Sequence, residues 1–267
     1  MKNLTKGVFL FAGVFVMGTF AACNNNTKHT EENTADSTKK ITIEALNESD
    51  DFPNAKLTLG DVKTEVVGDS TRLTFNFGVE NYELTKQTED GHAEHCANSK
   101  EGQHIHFIMD NKPYAALYKP TNTVTLAKNS EHVLLCFLSR SYHLSVKSPD
   151  ASVLVKFKID ENGNYVKLEE PTEPMLFYSR PKGEYKGADV DNVLLDFYVK
   201  NLKISPQDYK VNVQAADTTF TVDSWTPYLI KGAPAGDLNV KISLVDPQGN
   251  NIGGTFGEIE RTSKLEP

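Results

Sequence analysis

From residue 52 onward the chain alternates between apolar and polar positions. Leu57-Thr-Leu59, Leu73-Thr-Phe-Asn-Phe77, Ile105-His-Phe107, Val153-Leu-Val-Lys-Phe157 and Val211-Asn-Val213 place aliphatic and aromatic side chains at every second position or in short runs. A period of two is what a strand with one buried face shows. No stretch holds the 3.6-residue period of a helix for three turns. Asn162-Gly163 marks a hairpin turn between two such runs. The pattern predicts an all-β fold.

An internal repeat organises the strands. Val79-Glu-Asn-Tyr-Glu-Leu-Thr85 matches Val199-Lys-Asn-Leu-Lys-Ile-Ser205 at an offset of 120, and Leu73, Phe75 and Phe77 fall on Val193, Leu195 and Phe197. Further on, His104 to Tyr114 matches Lys210 to Phe220 at 106, and Val133 to Leu138 matches Val240 to Val245 at 107. Strand order is the same in both halves. The expectation is two tandem immunoglobulin-like β-sandwich domains from an internal duplication, each of about 100 residues. The first spans residues 53–168, the second 175–267, and Glu169-Glu-Pro-Thr-Glu-Pro174 links them.

The drop in offset from 120 to 106 means that the first copy has gained fourteen residues, 88–101. This insert carries His92, His95 and Cys96 and leads into the strand with His104 and His106; six of the seven histidines lie between 92 and 143. Mapping the second copy back predicts that His104, His106 and Ile108 face outward, and that His132, Leu134, Cys136 and Leu138 do too. An apolar outer face is unusual on a soluble domain, so the insert is expected to fold over it. Met109 falls on the inner face and is assigned to the core.

Two imidazoles two residues apart on a strand project to one side and suit zinc or copper. The expected metal ligands are His104, His106 and His132, with His92, His95 and Cys96 as auxiliaries. A disulfide between Cys96 and Cys136 is the parallel expectation, stapling the insert and removing both thiolates as ligands. The competing functional class is capture of a peptide or phospho-ligand through Arg140, Tyr142, His143, Arg180 and Lys182, since arginine forks match carboxylate and phosphate. No residue pattern names a nucleophile or a general base, so the chain is read as a binding protein and not an enzyme. Trp225 is expected to seal the second core.

The N-terminus supplies an address. Lys2 and Lys6 precede an apolar stretch, Val8 to Phe20, shorter than a membrane span. Phe20-Ala-Ala-Cys23 resembles the lipobox of bacterial lipoproteins, with Phe20 where Leu is usual. The resemblance implies cleavage of residues 1–22 and acylation of Cys23, hence an outer-membrane lipid anchor with the protein facing the periplasm or the cell surface. Residues 24–40 are almost wholly polar, and 23–52 is read as the acylated cysteine and a flexible tether. The Asn-rich tether, and runs such as GQHIHFIMDN, FLSRSYH and LFYSRPKGEY, are similar to Bacteroidota lipoproteins, some labelled phosphopeptide-binding.

Composition narrows the partners. Of 267 residues 39% are hydrophobic and 24% charged, enough for a packed core. The formal charge of −8 becomes −10 once Lys2 and Lys6 are removed, which excludes nucleic acid as a main partner. What remains is the membrane through its lipid anchor, a metal ion, or a peptide or protein of the envelope.

Overall fold

The computed structural model describes residues 40–46, 52–93 and 96–267. The expected signal peptide, Cys23 and most of the tether lie outside them, as does His95. Residues 38–267 form one compact unit. Among the described residues there is no α-helix, and none long and apolar enough to cross a membrane.

In chain order the strands are β1 (Thr42–Ala45), β2 (Lys56–Val67), β3 (Ser70–Glu80), β4 (His104–Met109), β5 (Ala115–Leu117), β6 (Thr121–Ala127), β7 (Ser130–Ser139), β8 (Ser152–Ile159) and β9 (Tyr165–Lys167). They continue with β10 (Met175–Arg180), β11 (Glu184–Lys186), β12 (Val193–Lys200), β13 (Lys210–Ala215), β14 (Thr218–Val222), β15 (Tyr228–Lys231), β16 (Gly236–Val245) and β17 (Glu258–Glu266). Among the described residues a 3-10 turn, Gly187–Asp191, interrupts them.

Among the described residues four sheets make two sandwiches, an all-β fold. In the first, a sheet of order β2-β3-β6 packs on one of order β5-β4-β7-β8-β9. Leu73, Phe75 and Phe77 meet Ile105, Phe107, Leu134, Cys136 and Phe157 in its core. In the second, β1-β15-β12-β10 packs on β11-β17-β16-β13-β14. Val193, Leu195 and Phe197 meet Val211, Val213, Val240, Ile242 and Leu244. The residues matched at an offset of 120 therefore occupy equivalent core positions, consistent with duplication. Trp225 lies against this core and also against the junction between the sandwiches, and its indole donates to the Phe197 carbonyl at 3.0 Å.

Three expectations change. First, part of the presumed tether is structured: β1 pairs antiparallel with β15, Thr42 opposite Lys231 through Ala45 opposite Tyr228. An edge strand draws on backbone hydrogen bonds, so the sparse apolar pattern of this segment suffices; Ile41 and Leu46 are buried at its ends.

Second, the face of β7 is reversed. Ile105 pairs with Leu138 and Phe107 with Cys136, and the equivalent pairs in the second copy are Val211 with Leu244 and Val213 with Ile242. All four relations hold at an offset of 106. Using 107 for β7 slips the register by one, which turns every side chain to the other face. Leu134, Cys136 and Leu138 point into the core, while Val133, Leu135 and Phe137 share the outer face with His106 and Ile108.

Third, that outer face is covered by the second sandwich and not by the insert. Ile108, Tyr114, Leu135, Phe137 and Leu154 pack against Met175, Phe177 and Tyr198. Asn111 clamps the junction: its amide donates to the Leu176 and Thr255 carbonyls at 2.8 and 2.7 Å, and its side-chain oxygen accepts the Tyr178 N–H at 3.0 Å. The insert packs beside this face instead, with Ala93 and Cys96 against Tyr142, Leu144, Leu194 and Leu229.

Candidate metal centre

His104 and His106 stand on the outer face of β4, where the second sandwich closes over them, and both are fully buried. Their neighbour is His143, in the turn after β7. The His143 N–H donates to the Arg140 carbonyl at 2.9 Å and the Arg140 N–H to the Leu144 carbonyl at 2.8 Å, which folds the chain back on itself. His143 sits at φ +71°, a left-handed conformation that non-glycine residues rarely adopt. The bent turn carries its imidazole over β4.

Three ring nitrogens converge. His104 Nε2 lies 3.0 Å from His106 Nε2 and 3.1 Å from His143 Nδ1. One ligand atom from each of the three residues lies within 4.8 Å of the others. Nitrogens bound to one zinc ion at about 2.0–2.1 Å are roughly 3.3–3.6 Å apart, within reach of small ring rotations.

The outer nitrogens fix the tautomers. The Gly102 carbonyl, 2.8 Å from His104 Nδ1, can only accept, so Nδ1 carries the proton and Nε2 presents a lone pair. The Ser179 hydroxyl, 3.1 Å from His106 Nδ1, can accept that ring's proton in the same way. The Tyr114 hydroxyl lies 3.2 Å from His143 Nδ1, the inward nitrogen itself, so it has to turn its proton away for that nitrogen to ligate. Between His104 Nε2 and its neighbours there must be either a ring proton turned inward or a metal ion, because bare lone pairs repel at these distances. A carbonyl or hydroxyl on the far nitrogen is the arrangement that orients ligating imidazoles.

Electrostatics keep the rings neutral. Burial lowers His104 to about 4 against the support of the Gly102 carbonyl, with Arg180 and Lys182 lowering it further. Burial, then the other two imidazoles, then the same two cations hold His106 well below the usual range. Burial and Arg180 do the same to His143. Neutral imidazole is the metal-binding form. Tyr114 stacks on His106 with centroids 3.6 Å apart, and the Lys182 ammonium lies 4.0 Å from the Tyr114 centroid. The Arg180 guanidinium is buried beside Tyr114 and Tyr185, its Nη1 donating to the Lys182 carbonyl at 2.9 Å.

The other expected site residues lie elsewhere. His132 is not in the cluster: its Nδ1 meets Asp110 Oδ2 at 2.7 Å and its Nε2 meets Ser130 Oγ at 2.8 Å. Ser130 gives its hydroxyl proton to the Ala127 carbonyl. His92, in the insert, lies against Tyr142 with centroids 6.4 Å apart and does not join the three rings. Cys96 and Cys136 are both free and buried, in separate apolar clusters, so the expected disulfide is absent. The register explains this: Cys136 faces the interior of the first sandwich. Burial raises the Cys96 thiol to about 11 and Cys136 well above its usual range. Arg140 and Arg180 have different partners. Arg140 faces Asp90, Nε to Oδ2 3.8 Å, which also accepts from Tyr142 at 2.9 Å. Lys182 and Arg180 flank the histidines, and His143, assigned by sequence to anion capture, completes the cluster. The register of β4 was the available signal: His104 pairs with Ser139, so the turn beyond Ser139 has to fold beside it.

No family model matches the chain, and no curated protein matches it. Among solved structures, the Clostridium thermocellum CbhA fibronectin(III)-like modules are similar at 11% identity and a TM-score of 0.28, over 77% of this chain and 94% of that one.

Proposed function

We propose that the protein is a lipid-anchored envelope binding protein that holds a transition metal, copper or zinc, through His104, His106 and His143. The observation that carries this reading is the convergence of three imidazole nitrogens around one point, two from buried rings and one from partly buried His143, with the outer nitrogens of His104 and His106 set against the Gly102 carbonyl and the Ser179 hydroxyl. The anchor is read from residues 1–23 alone, from the apolar stretch and the Phe20-Ala-Ala-Cys23 motif. The ion replaces the inward ring proton that the cluster otherwise needs, and the second-copy residue Ser179 orients His106 toward it.

Elemental analysis after metal loading tests the reading. Wild-type protein is expected to hold about one ion per chain. His104→Ala and His106→Ala should abolish it, and so should His143→Asn, chosen because Asn tolerates φ > 0. His132→Ala should retain the ion, because that ring is engaged by Asp110 and Ser130. Loss of metal in His132→Ala with retention in His143→Asn would overturn the assignment.

A further inference from the structure

Charge around the cluster narrows the ion. The three donors are neutral, and among the described residues no carboxylate or thiolate joins them. The nearby ionic groups are cations. Arg180 follows Ser179, which contacts His106, and its buried Nε has no hydrogen-bond partner. Lys182 stands behind Tyr114, the ring stacked on His106. Its ammonium donates to the Tyr114 carbonyl at 2.7 Å, and no carboxylate forms an ion pair with Arg180 or Lys182 among the described residues. Asp196, across from Arg180 in the sheet, is engaged by Lys147 at 3.1 Å.

A dication placed here would carry its whole charge into a buried site already beside two positive charges, neither of which is held in an ion pair. Repulsion from a fixed cation scales with the charge of the ion, so Zn(II) suffers twice what Cu(I) suffers. Desolvation grows faster still, as the square of the charge. The donor count agrees: a d10 monocation is satisfied by three nitrogens, whereas zinc seeks a fourth ligand.

We infer that the three-histidine pocket is selective for monovalent copper over divalent ions, and that Lys182 and Arg180 set this selectivity by their charge. The inference rests on the metal assignment above and adds the oxidation state. It differs from a zinc site that recruits an anion to complete its shell.

The test is a pair of competition titrations on the whole protein in detergent. Cu(I) is titrated anaerobically against bicinchoninate, and Zn(II) against a chromophoric chelator. Wild type, Lys182→Met and Lys182→Arg are compared, with circular dichroism to verify folding. Wild type should bind one Cu(I) per chain at least about 100-fold more tightly than Zn(II). Lys182→Met should tighten Cu(I) about fivefold and Zn(II) about twenty-five-fold, the square of the monovalent effect. Lys182→Arg should restore both values, which separates charge from packing. Zn(II) binding as tightly as Cu(I), or tightened by chloride or phosphate to that level, overturns the inference while the metal assignment stands. Equal factors for both ions in Lys182→Met overturn it too. Failure of wild type to bind either ion removes both readings together.

Discussion

Acid should unfold the metal-free protein through the three clustered histidines, two buried and one partly buried. Burial and the neighbouring cations lower His104 to about 4 and hold His106 and His143 below their usual range. In the unfolded chain each ring titrates near 6.5. Between these values the unfolded state binds more protons than the folded state, so stability is complete above the unfolded value and falls as the pH drops. At pH 5 each ring that stays neutral in the fold costs about 2 kcal/mol against its value at pH 7.5. Three such rings give about 6 kcal/mol, or about 4 kcal/mol if the cluster takes up one proton. That is a large share of the 5–15 kcal/mol that stabilises a typical domain. The carboxylates held below their usual range, such as Asp110, change little in this window. Urea unfolding of chelator-treated protein at pH 7.5, 6 and 5 measures the loss, expected as a fall of about 2–3 M in midpoint at a slope of about 2 kcal/mol per molar. The triple variant His104→Asn, His106→Asn, His143→Asn should show much less pH dependence. A wild-type midpoint moving by less than about 0.5 M from pH 7.5 to 5 would refute the reasoning, because the three rings would then titrate as freely in the fold as in the unfolded chain.

Two further outcomes follow from positions that support the site. Gly102 has φ +85°, a Cβ there would overlap the Thr85 and Lys86 carbonyls, and its own carbonyl orients His104, so Gly102→Ala should cost about 2–4 kcal/mol in unfolding free energy and weaken metal binding in the same protein. Asn111→Ala removes three side-chain hydrogen bonds across the junction between the sandwiches, and should cost about 2–4 kcal/mol by denaturant unfolding while the metal stoichiometry stays the same.

Much of this was legible in the sequence, and the failures have one main source. Alternation of apolar residues gave the strands, and the inner faces of β3, β4, β12, β13 and β16 follow from it directly. His104 and His106 were recognisable as a pair because period two puts both on one side of β4. His132 was misassigned by a one-residue slip in matching β7 to β16. The same slip turned Cys136 outward and made a disulfide with Cys96 look available. Pattern alone could not resolve it, because β7 is apolar on both faces from Val133 to Leu138 and so carries no alternation to set the register. Pairing of the equivalent residues resolves it, since Ile105 with Leu138 repeats as Val211 with Leu244. His143 was hidden for another reason. Its place depends on a tight turn at positive φ, a conformation for which histidine gives no strong local signal.

The comparison of the two copies explains why the cluster sits in one of them. The counterparts of His104 and His106 at an offset of 106 are Lys210 and Asn212, both partly exposed on β13. Asn212 accepts there from Thr221 on the neighbouring strand, an ordinary solvated pair. On β4 the same face is shut off by β10, which contributes Met175 and Phe177 to the seal and Ser179 to His106. Arg180 and Lys182 follow immediately in the chain. The first copy thus supplies the three imidazoles, and the second supplies the cover, an orienting hydroxyl and the charge. Burial is what makes neutral imidazoles stable at acid pH and what makes ionic charge costly, so the metal affinity and the ion selectivity proposed above would both belong to the junction and to neither sandwich alone. A protein in which the second sandwich is displaced from β4 would keep the histidines and lose the site.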